Sequence, residues 1–291
     1  MGSNFVLVIV LCLSIIAGGC SSPFARKPLN PELSGQNLNL TVYSTIPKEQ
    51  VSTQFNAVQL TISSPNIGVA IIGAFAAATV NTASVQIAEK RARNRMSPVW
   101  QSSADFDFRR EYWNKLEPII SKSPWFTVTS LEKLGAVTEK EAEEFKLPLL
   151  ILKVFFDLSS TFQVLTVQTQ ASLYTTNPDE REFFAIYTYY SDKIGPKSEA
   201  TALWAADNAA ALRQEARFGI EQNLKMIRYD LLQNPTNKNV ETGKEIIFPM
   251  RDTVTGSLIE LTGNLIEESE KRILMRVSIG NIFSLSTGLK E

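Results

Sequence analysis

The chain has no histidine and only two cysteines in 291 residues. The lack of histidine excludes Ser-His-Asp and Cys-His catalysis, histidine-containing metal sites and the commonest proton-transfer group near neutral pH. Cys12 lies inside an apolar N-terminal run, and Cys20 follows that run. If the leader is removed and Cys20 is modified, as argued below, the rest of the chain cannot form an internal disulfide. We therefore expect no metal and no cofactor, and stability that comes from core burial.

An excess of charge of one sign is also missing. The chain carries 29 basic and 30 acidic side chains, a net charge of −1. Nucleic-acid binders usually show a basic excess, so we expect no nucleic-acid partner. Hydrophobic residues make up 44% and charged residues 20% of the chain, which is typical of a folded protein rather than a disordered one.

The N-terminus has the pattern of an export signal. Residues Phe5 to Ala17 are apolar except for Ser14, and the first charge is at Arg26. This run is shorter than the ~20 residues that a membrane-spanning helix needs, and small residues follow it. The pattern predicts a signal peptide over residues 1–19.

The junction Ile16-Ala17-Gly18-Gly19-Cys20 resembles the bacterial lipobox, in which the cysteine is acylated and becomes the new N-terminus. The resemblance implies lipid on Cys20 and a membrane anchor; an uncleaved anchor or an unlipidated cleaved signal is the alternative. In Gram-negative lipoproteins an aspartate after the cysteine retains the protein in the inner membrane. Ser21 at that position therefore implies the outer membrane, with the protein facing the periplasm.

The pattern divides the remaining chain into three parts. Residues 20–37, rich in Ser, Pro and Asn, predict the lipidated cysteine followed by a flexible tether. Residues 38–233 predict the main α/β domain, and residues 244–291 predict a small C-terminal β module beyond a polar linker.

An uncharged segment is the most unusual part of the main domain. No charged residue occurs from Gln50 to Ala88, and residues 67–88 are mostly Ala, Ile, Gly and Val. Small residues at helical spacing allow close approach of another helix. We consider three interpretations: a buried or intersubunit helix, a helix that touches the bilayer, and a mobile loop. The candidate contact residues for helix packing or membrane contact are Gly68, Gly73, Ala77 and Asn81.

Hydrophobic periodicity predicts an α+β fold, with a mixed or antiparallel sheet packed by a long helix. The predicted helices are Asp105–Lys122, a short acidic helix from Thr138 to Lys146, and Ser198–Gln233. The predicted strands are Leu38–Ile46, Val51–Ser63, Trp125–Leu131, Leu149–Leu158, Leu165–Tyr174 and Phe183–Tyr190, with a C-terminal meander of Ile246–Phe248, Ser257–Ile266, Arg272–Ile279 and Ile282–Leu285. The meander is either an SH3-like recognition module or a continuation of the main sheet.

Two local sequences carry a family resemblance. Pro124-Trp125-Phe126-Thr127-Val128 follows a helix, and Leu149-Leu150-Ile151-Leu152 follows an acidic helix. In element order, this region resembles the periplasmic α/β domain of the curli-secretion lipoprotein and of lipoprotein activators of peptidoglycan synthases. The resemblance implies a periplasmic domain that works within an envelope assembly.

Paired carboxylates are the catalytic groups that the composition does not exclude. The nearest clusters are Asp105 with Asp107, and Asp179 with Glu180 and Glu182. Their settings are those of a helix start and a turn, whereas a glycosidase needs two carboxylates roughly 5–9 Å apart. A run of acidic residues has the pattern of a solvated helix face: Glu139, Glu141, Glu143 and Glu144. A group of strand aromatics is either core or the lining of a groove: Phe183, Phe184, Tyr187, Tyr189 and Tyr190.

These observations favour a non-enzymatic outer-membrane lipoprotein that assembles or positions a cell-envelope complex. Its expected partners are the membrane, through the lipid anchor, and further copies of itself or other envelope proteins. The alternative is a carboxylate-dependent hydrolase that acts on peptidoglycan or envelope sugars. A third, weaker hypothesis is carriage of a lipid or small ligand.

Overall fold

The structure is a computed structural model that describes residues 25–53, 83–137, 141, 144–232, 243–253 and 257–290. Within these ranges ten strands form one mixed sheet, and a long helix packs on one of its faces. The predicted α+β fold is therefore confirmed.

The strand order in the sheet is β3-β1-β4-β5-β6-β10-β9-β8-β7, and the short β2 pairs with β4. Neighbours are antiparallel except for four parallel pairs, which are β1 with β3, β1 with β4, β2 with β4, and β6 with β10. The strands are β1 Leu38–Thr45, β2 Ser52–Thr53, β3 Phe126–Leu134, β4 Leu149–Leu158, β5 Leu165–Tyr174, β6 Phe183–Tyr190, β7 Glu245–Arg251, β8 Leu258–Glu268, β9 Arg272–Val277 and β10 Ile282–Ser286.

The three central strands, β4 to β6, have the bounds that the sequence predicts. β4 is apolar along most of its length because both faces are buried, as its position between β1 and β5 requires. β5 and β6 pair antiparallel, as their alternating pattern and the Asn177-Pro178-Asp179 turn indicate. Of the predicted strand Val51–Ser63, only Ser52–Thr53 is seen as a strand; Val51 precedes it, and the residues after Thr53 lie outside the described residues.

Three described helices are α1 Ala83–Ser102, α2 Phe108–Ile120 and α3 Ala200–Ile227, and a π-helical turn, Arg228–Leu232, extends α3. α2 begins later than expected because Asp107, not Asp105, is its N-cap: Asp107 Oδ1 accepts from the Arg110 amide at 2.9 Å. α1 contains Pro98 and continues past it to Ser102. Buried Val99 and the Trp100 indole, which donates to the Val51 carbonyl at 2.8 Å, hold that last turn in place.

The apolar stripe of α3 packs on the sheet as the sequence predicts. Six of its members are fully or almost fully buried: Ala209, Leu212, Ala216, Ile220, Leu224 and Ile227. The helix approaches closely at Gly219, where an added Cβ would lie 2.8 Å from the Val167 and Tyr189 side chains. One turn later the fully buried Asn223 donates to the carbonyls of Val167 and Tyr187 at 3.2 and 3.0 Å. A glycine and an asparagine thus fix α3 against β5 and β6 where larger apolar residues would not fit.

A left-handed turn interrupts α3 near its start. Asp207, Asn208 and Ala209 have φ of 50°, 55° and 57°, and none of them is glycine. Left-handed backbone costs roughly 1–2 kcal/mol for each L-residue, and less for Asp or Asn. The sequence did not indicate this interruption, because Ala and Leu flank it on both sides.

Replacing exposed Asp207 with glycine is expected to raise the free energy of unfolding by about 1 kcal/mol, because glycine adopts this backbone without steric cost. Denaturant unfolding measures the change. Gln214→Gly, at an exposed position with ordinary helical geometry, is the matched control and should instead lower stability by roughly 0.5–1 kcal/mol. A loss of stability in both variants would show that the left-handed turn carries no strain.

The C-terminal strands continue the main sheet rather than stand apart from it, because β10 pairs in parallel with β6. The turn between β7 and β8 contacts the loop after β4: the Ser160 amide donates to the Thr253 carbonyl at 2.8 Å. A second apolar core lies on the face opposite the helices and is built around Phe248, Met250 and Met275. Gly263 permits close approach of β8 and β9, since an added Cβ would lie 2.1 Å from the Arg276 carbonyl oxygen.

Candidate functional site: a clamp on the N-terminal segment

The segment that follows the predicted lipid site is held by the folded domain. The Arg26 amide donates to the Ile279 carbonyl at 2.8 Å. The Lys27 amide donates to the Phe184 carbonyl at 2.9 Å, and the Phe184 amide donates back to the Lys27 carbonyl at 3.0 Å. Leu29, just before a capped helical turn, and Leu33, within that turn, pack into the main core. We expected a flexible tether as far as residue 37, and the structure corrects this from Arg26 onward.

The side chain of Asp230 is the centre of this attachment and is 2% exposed. Arg26 donates to both of its carboxylate oxygens, at 3.2 Å from Nε and 2.8 Å from Nη2. Arg276 Nη2 donates to Oδ1 at 2.9 Å, and the Tyr187 hydroxyl donates to Oδ2 at 3.0 Å. We call these four residues, Arg26, Tyr187, Asp230 and Arg276, the anchor clamp.

Each member of the anchor clamp comes from a different element. Tyr187 lies in the middle of β6, Arg276 near the end of β9, and Asp230 in the π-helical turn after α3. A π-helical turn rotates its residues relative to an ordinary helix, and here it directs the carboxylate of Asp230 at the two guanidinium groups. Gly280, with φ of 89°, provides the space: an added Cβ would lie 2.7 Å from Arg26 Cβ.

The charges and hydrogen bonds of the anchor clamp favour one fixed arrangement of its side chains. The two-point contact of Arg26 with a carboxylate is the strong form of a charge-assisted hydrogen bond, and little solvent reaches the carboxylate. Burial, together with the negative charge of Asp230, raises the pKa of Tyr187 well above its ordinary value. The Tyr187 hydroxyl therefore keeps its proton and remains a donor to Asp230. Two cations face one carboxylate, so the cluster carries a net positive charge.

The candidate site residues named from the sequence lie either outside the described residues or elsewhere in the fold. Cys20, Gly68, Gly73, Ala77 and Asn81 lie outside the described residues. Exposed Asp105 forms a two-point ion pair with Arg213, which lowers the pKa of its carboxyl group, and Asp107 caps α2.

The other acidic candidates lie in the β5–β6 turn or near it. Asp179 lies in the turn, where its amide donates to Asn177 Oδ1, and Glu180 pairs with Lys27 at 3.6 Å. Of the acidic helix, the structure describes only Glu141 and the residues from Glu144 onward. The strand aromatics are core rather than a groove lining: Phe183, Phe184, Tyr187 and Tyr189 are buried, and Tyr190 packs against the second core.

Two buried charges on β4 escaped the sequence analysis. Lys153 is 3% exposed and Asp157 is 5% exposed, both on the face opposite the helices. Burial lowers the pKa of Lys153 to about 8 and raises the pKa of Asp157, whose carboxylate accepts from the Ser52 hydroxyl. The candidate carboxylates named from the sequence did not include Asp157, although its burial raises its pKa. The signal was present, since two charges interrupt an apolar strand at positions of equal parity.

Two further observations concern only the described residues. None of their helices is long and apolar enough to cross a membrane. They contain no cluster of three or more acidic, cysteine or histidine side chains placed to hold a metal ion.

Comparison with known proteins found no matching family, no similar curated protein and no similar solved structure.

Proposed function

We propose that this chain is an outer-membrane lipoprotein that positions or assembles a cell-envelope complex without catalysing a reaction, and that it acts as an oligomer. The observation that carries the proposal is the anchor clamp. It attaches the sixth residue after Cys20 to the interior of the domain through Asp230. A lipid on Cys20 would then hold the whole domain close to the membrane rather than at the end of a long tether. Fixed placement of this kind suits a protein that presents a surface to partners.

The uncharged segment supports the assembly part of the proposal. Its small residues at helical spacing suit close contact between copies, and β2, from which it continues, ends beside Leu158 at the carboxyl end of β4. Cross-linking of the lipidated protein in detergent tests this part. A protein that stays monomeric over a wide range of concentration would contradict it.

The hydrolase alternative has one group in its favour. Asp157 has the raised pKa that a general acid needs. However, its side chain is buried within the sheet and holds the Ser52 hydroxyl, which joins β2 to β4. A glycan strand would have to reach a group that solvent hardly reaches. This setting favours a structural role for Asp157.

Replacing Cys20 with alanine is expected to abolish incorporation of labelled fatty acid and to release the protein from membranes, because the acyl chains supply the membrane affinity at ~0.8 kcal/mol for each buried methylene. Radiolabelling and fractionation of cells measure both effects. Cys12→Ala is the matched control and should retain label and location. Undiminished labelling of the Cys20→Ala variant would contradict the anchor proposal.

A further inference from the structure

The tether left free by the anchor clamp is short compared with the domain. Five residues separate Cys20 from Arg26, so the chain between them spans at most roughly 20 Å. A compact domain of this length has a diameter of roughly 45 Å. The acylated end therefore cannot reach round the domain, and the surface beside Arg26 must face the membrane that holds the lipid.

That surface is the β9–β10 turn and its surroundings. Arg26 binds the carbonyl of Ile279, whose side chain is 41% exposed and is one of four exposed large apolar side chains among the described residues. Lys27 and the anchor clamp supply cations at this end of the domain, and Glu180, which pairs with Lys27 at 3.6 Å, supplies an exposed carboxylate. An apolar tip among charged side chains matches the boundary between lipid headgroups and acyl chains.

The other end of the meander offers a matched comparison. Exposed Glu270 lies in the turn between β8 and β9, whereas Ile279 lies in the turn between β9 and β10. The six residues of β9 place these two turns roughly 20 Å apart.

We propose that the β9–β10 turn rests on the membrane of the lipid anchor, with the side chain of Ile279 at the boundary between headgroups and acyl chains. The inference rests on the proposed lipidation of Cys20. It adds an orientation, since the β8–β9 turn then points away from that membrane.

Site-specific fluorescence in the full lipidated protein tests the orientation. Ile279→Cys and, separately, Glu270→Cys are labelled with an environment-sensitive maleimide dye and reconstituted into phosphatidylethanolamine–phosphatidylglycerol vesicles that contain spin-labelled lipids. We expect the dye at position 279 to lose most of its fluorescence and the dye at position 270 to lose little. Equal quenching at the two positions, or stronger quenching at 270, overturns the inference.

Two controls separate this inference from the proposed function. Labelling of the wild-type protein by the dye would reveal a free Cys20 thiol and would overturn the lipid anchor itself. If the dye does not label the wild type, the comparison of the two positions tests the orientation alone. A long Gly/Ser insertion between Ala25 and Arg26 frees the domain to turn and should remove most of the difference between positions 279 and 270. If the difference persists, the clamp and its short tether do not orient the domain, and the inference is wrong.

Discussion

Replacing Asp230 with alanine is expected to lower the free energy of unfolding by about 3–5 kcal/mol, because it removes the carboxylate from two largely buried guanidinium groups. The side chains of Arg26 and Arg276 are only 21% and 17% exposed, and both donate to Asp230 Oδ1. The Tyr187 hydroxyl loses its acceptor as well. The variant should also release the N-terminal segment, so that a protease cleaves it near Arg26 while the rest of the domain stays folded.

Denaturant unfolding and limited proteolysis measure the two effects of this variant. Asp105→Ala is the matched control, because Asp105 forms a similar two-point pair with Arg213 but its side chain is 77% exposed. Solvent already screens that pair, so we expect little change in stability. If Asp230→Ala loses no more than Asp105→Ala, the carboxylate of Asp230 does not hold the N-terminal segment.

Replacing Lys153 with methionine is expected to stabilise the protein at pH 7 by an amount on the order of 3 kcal/mol. Burial lowers the pKa of this amine from 10.5 to about 8, and each unit of that difference is worth about 1.4 kcal/mol. At pH 7 the folded protein therefore keeps a charged ammonium group away from water. Methionine has a similar length and has no charge to desolvate.

The sign of the pH dependence identifies the cause. The folded state holds its proton on Lys153 less tightly than the unfolded state, so wild-type stability rises as pH increases from about 8 to 10.5. The methionine variant lacks this rise, so its advantage in stability over the wild type disappears near pH 10.5. Urea unfolding of both proteins across this range measures the difference, with exposed Lys122→Met as control. A difference between wild type and Lys153→Met that does not change with pH would contradict burial of a charged amine.

Local patterns gave the centre of the sheet correctly. β4, β5 and β6 have the expected bounds because each is a continuous apolar or alternating run between turn residues. The stripe of α3 was equally clear, since burial along it repeats with the helical period. The features that local sequence did not predict are those that depend on contacts with other segments of the chain. The left-handed turn at Asp207 occurs among good helix formers, so the cause lies in packing and not in propensity.

The candidate site could not be predicted in this way. Arg26 and Asp230 are 204 residues apart, and each looks ordinary in its local sequence: one cation in a polar stretch and one acid in a helix. The buried pair of charges on β4 was different. Lys153 and Asp157 stand at equal parity in a strand that is otherwise apolar, so their burial on one face could have been recognised from the sequence alone.

The anchor clamp also sets an order of events during folding. A chain that emerges N-terminus first delivers Arg26 long before Asp230, and Ile279 and Arg276 come almost at the end. Closing a loop of this length is unfavourable until the contacts at both ends exist. Seating of the N-terminal segment is therefore a late step, completed only when β9 and β10 have joined β6. A chain truncated before β9 would contain Arg26 and Asp230 but would lack Arg276 and the Ile279 carbonyl, so it could not hold the N-terminal segment in the mature way.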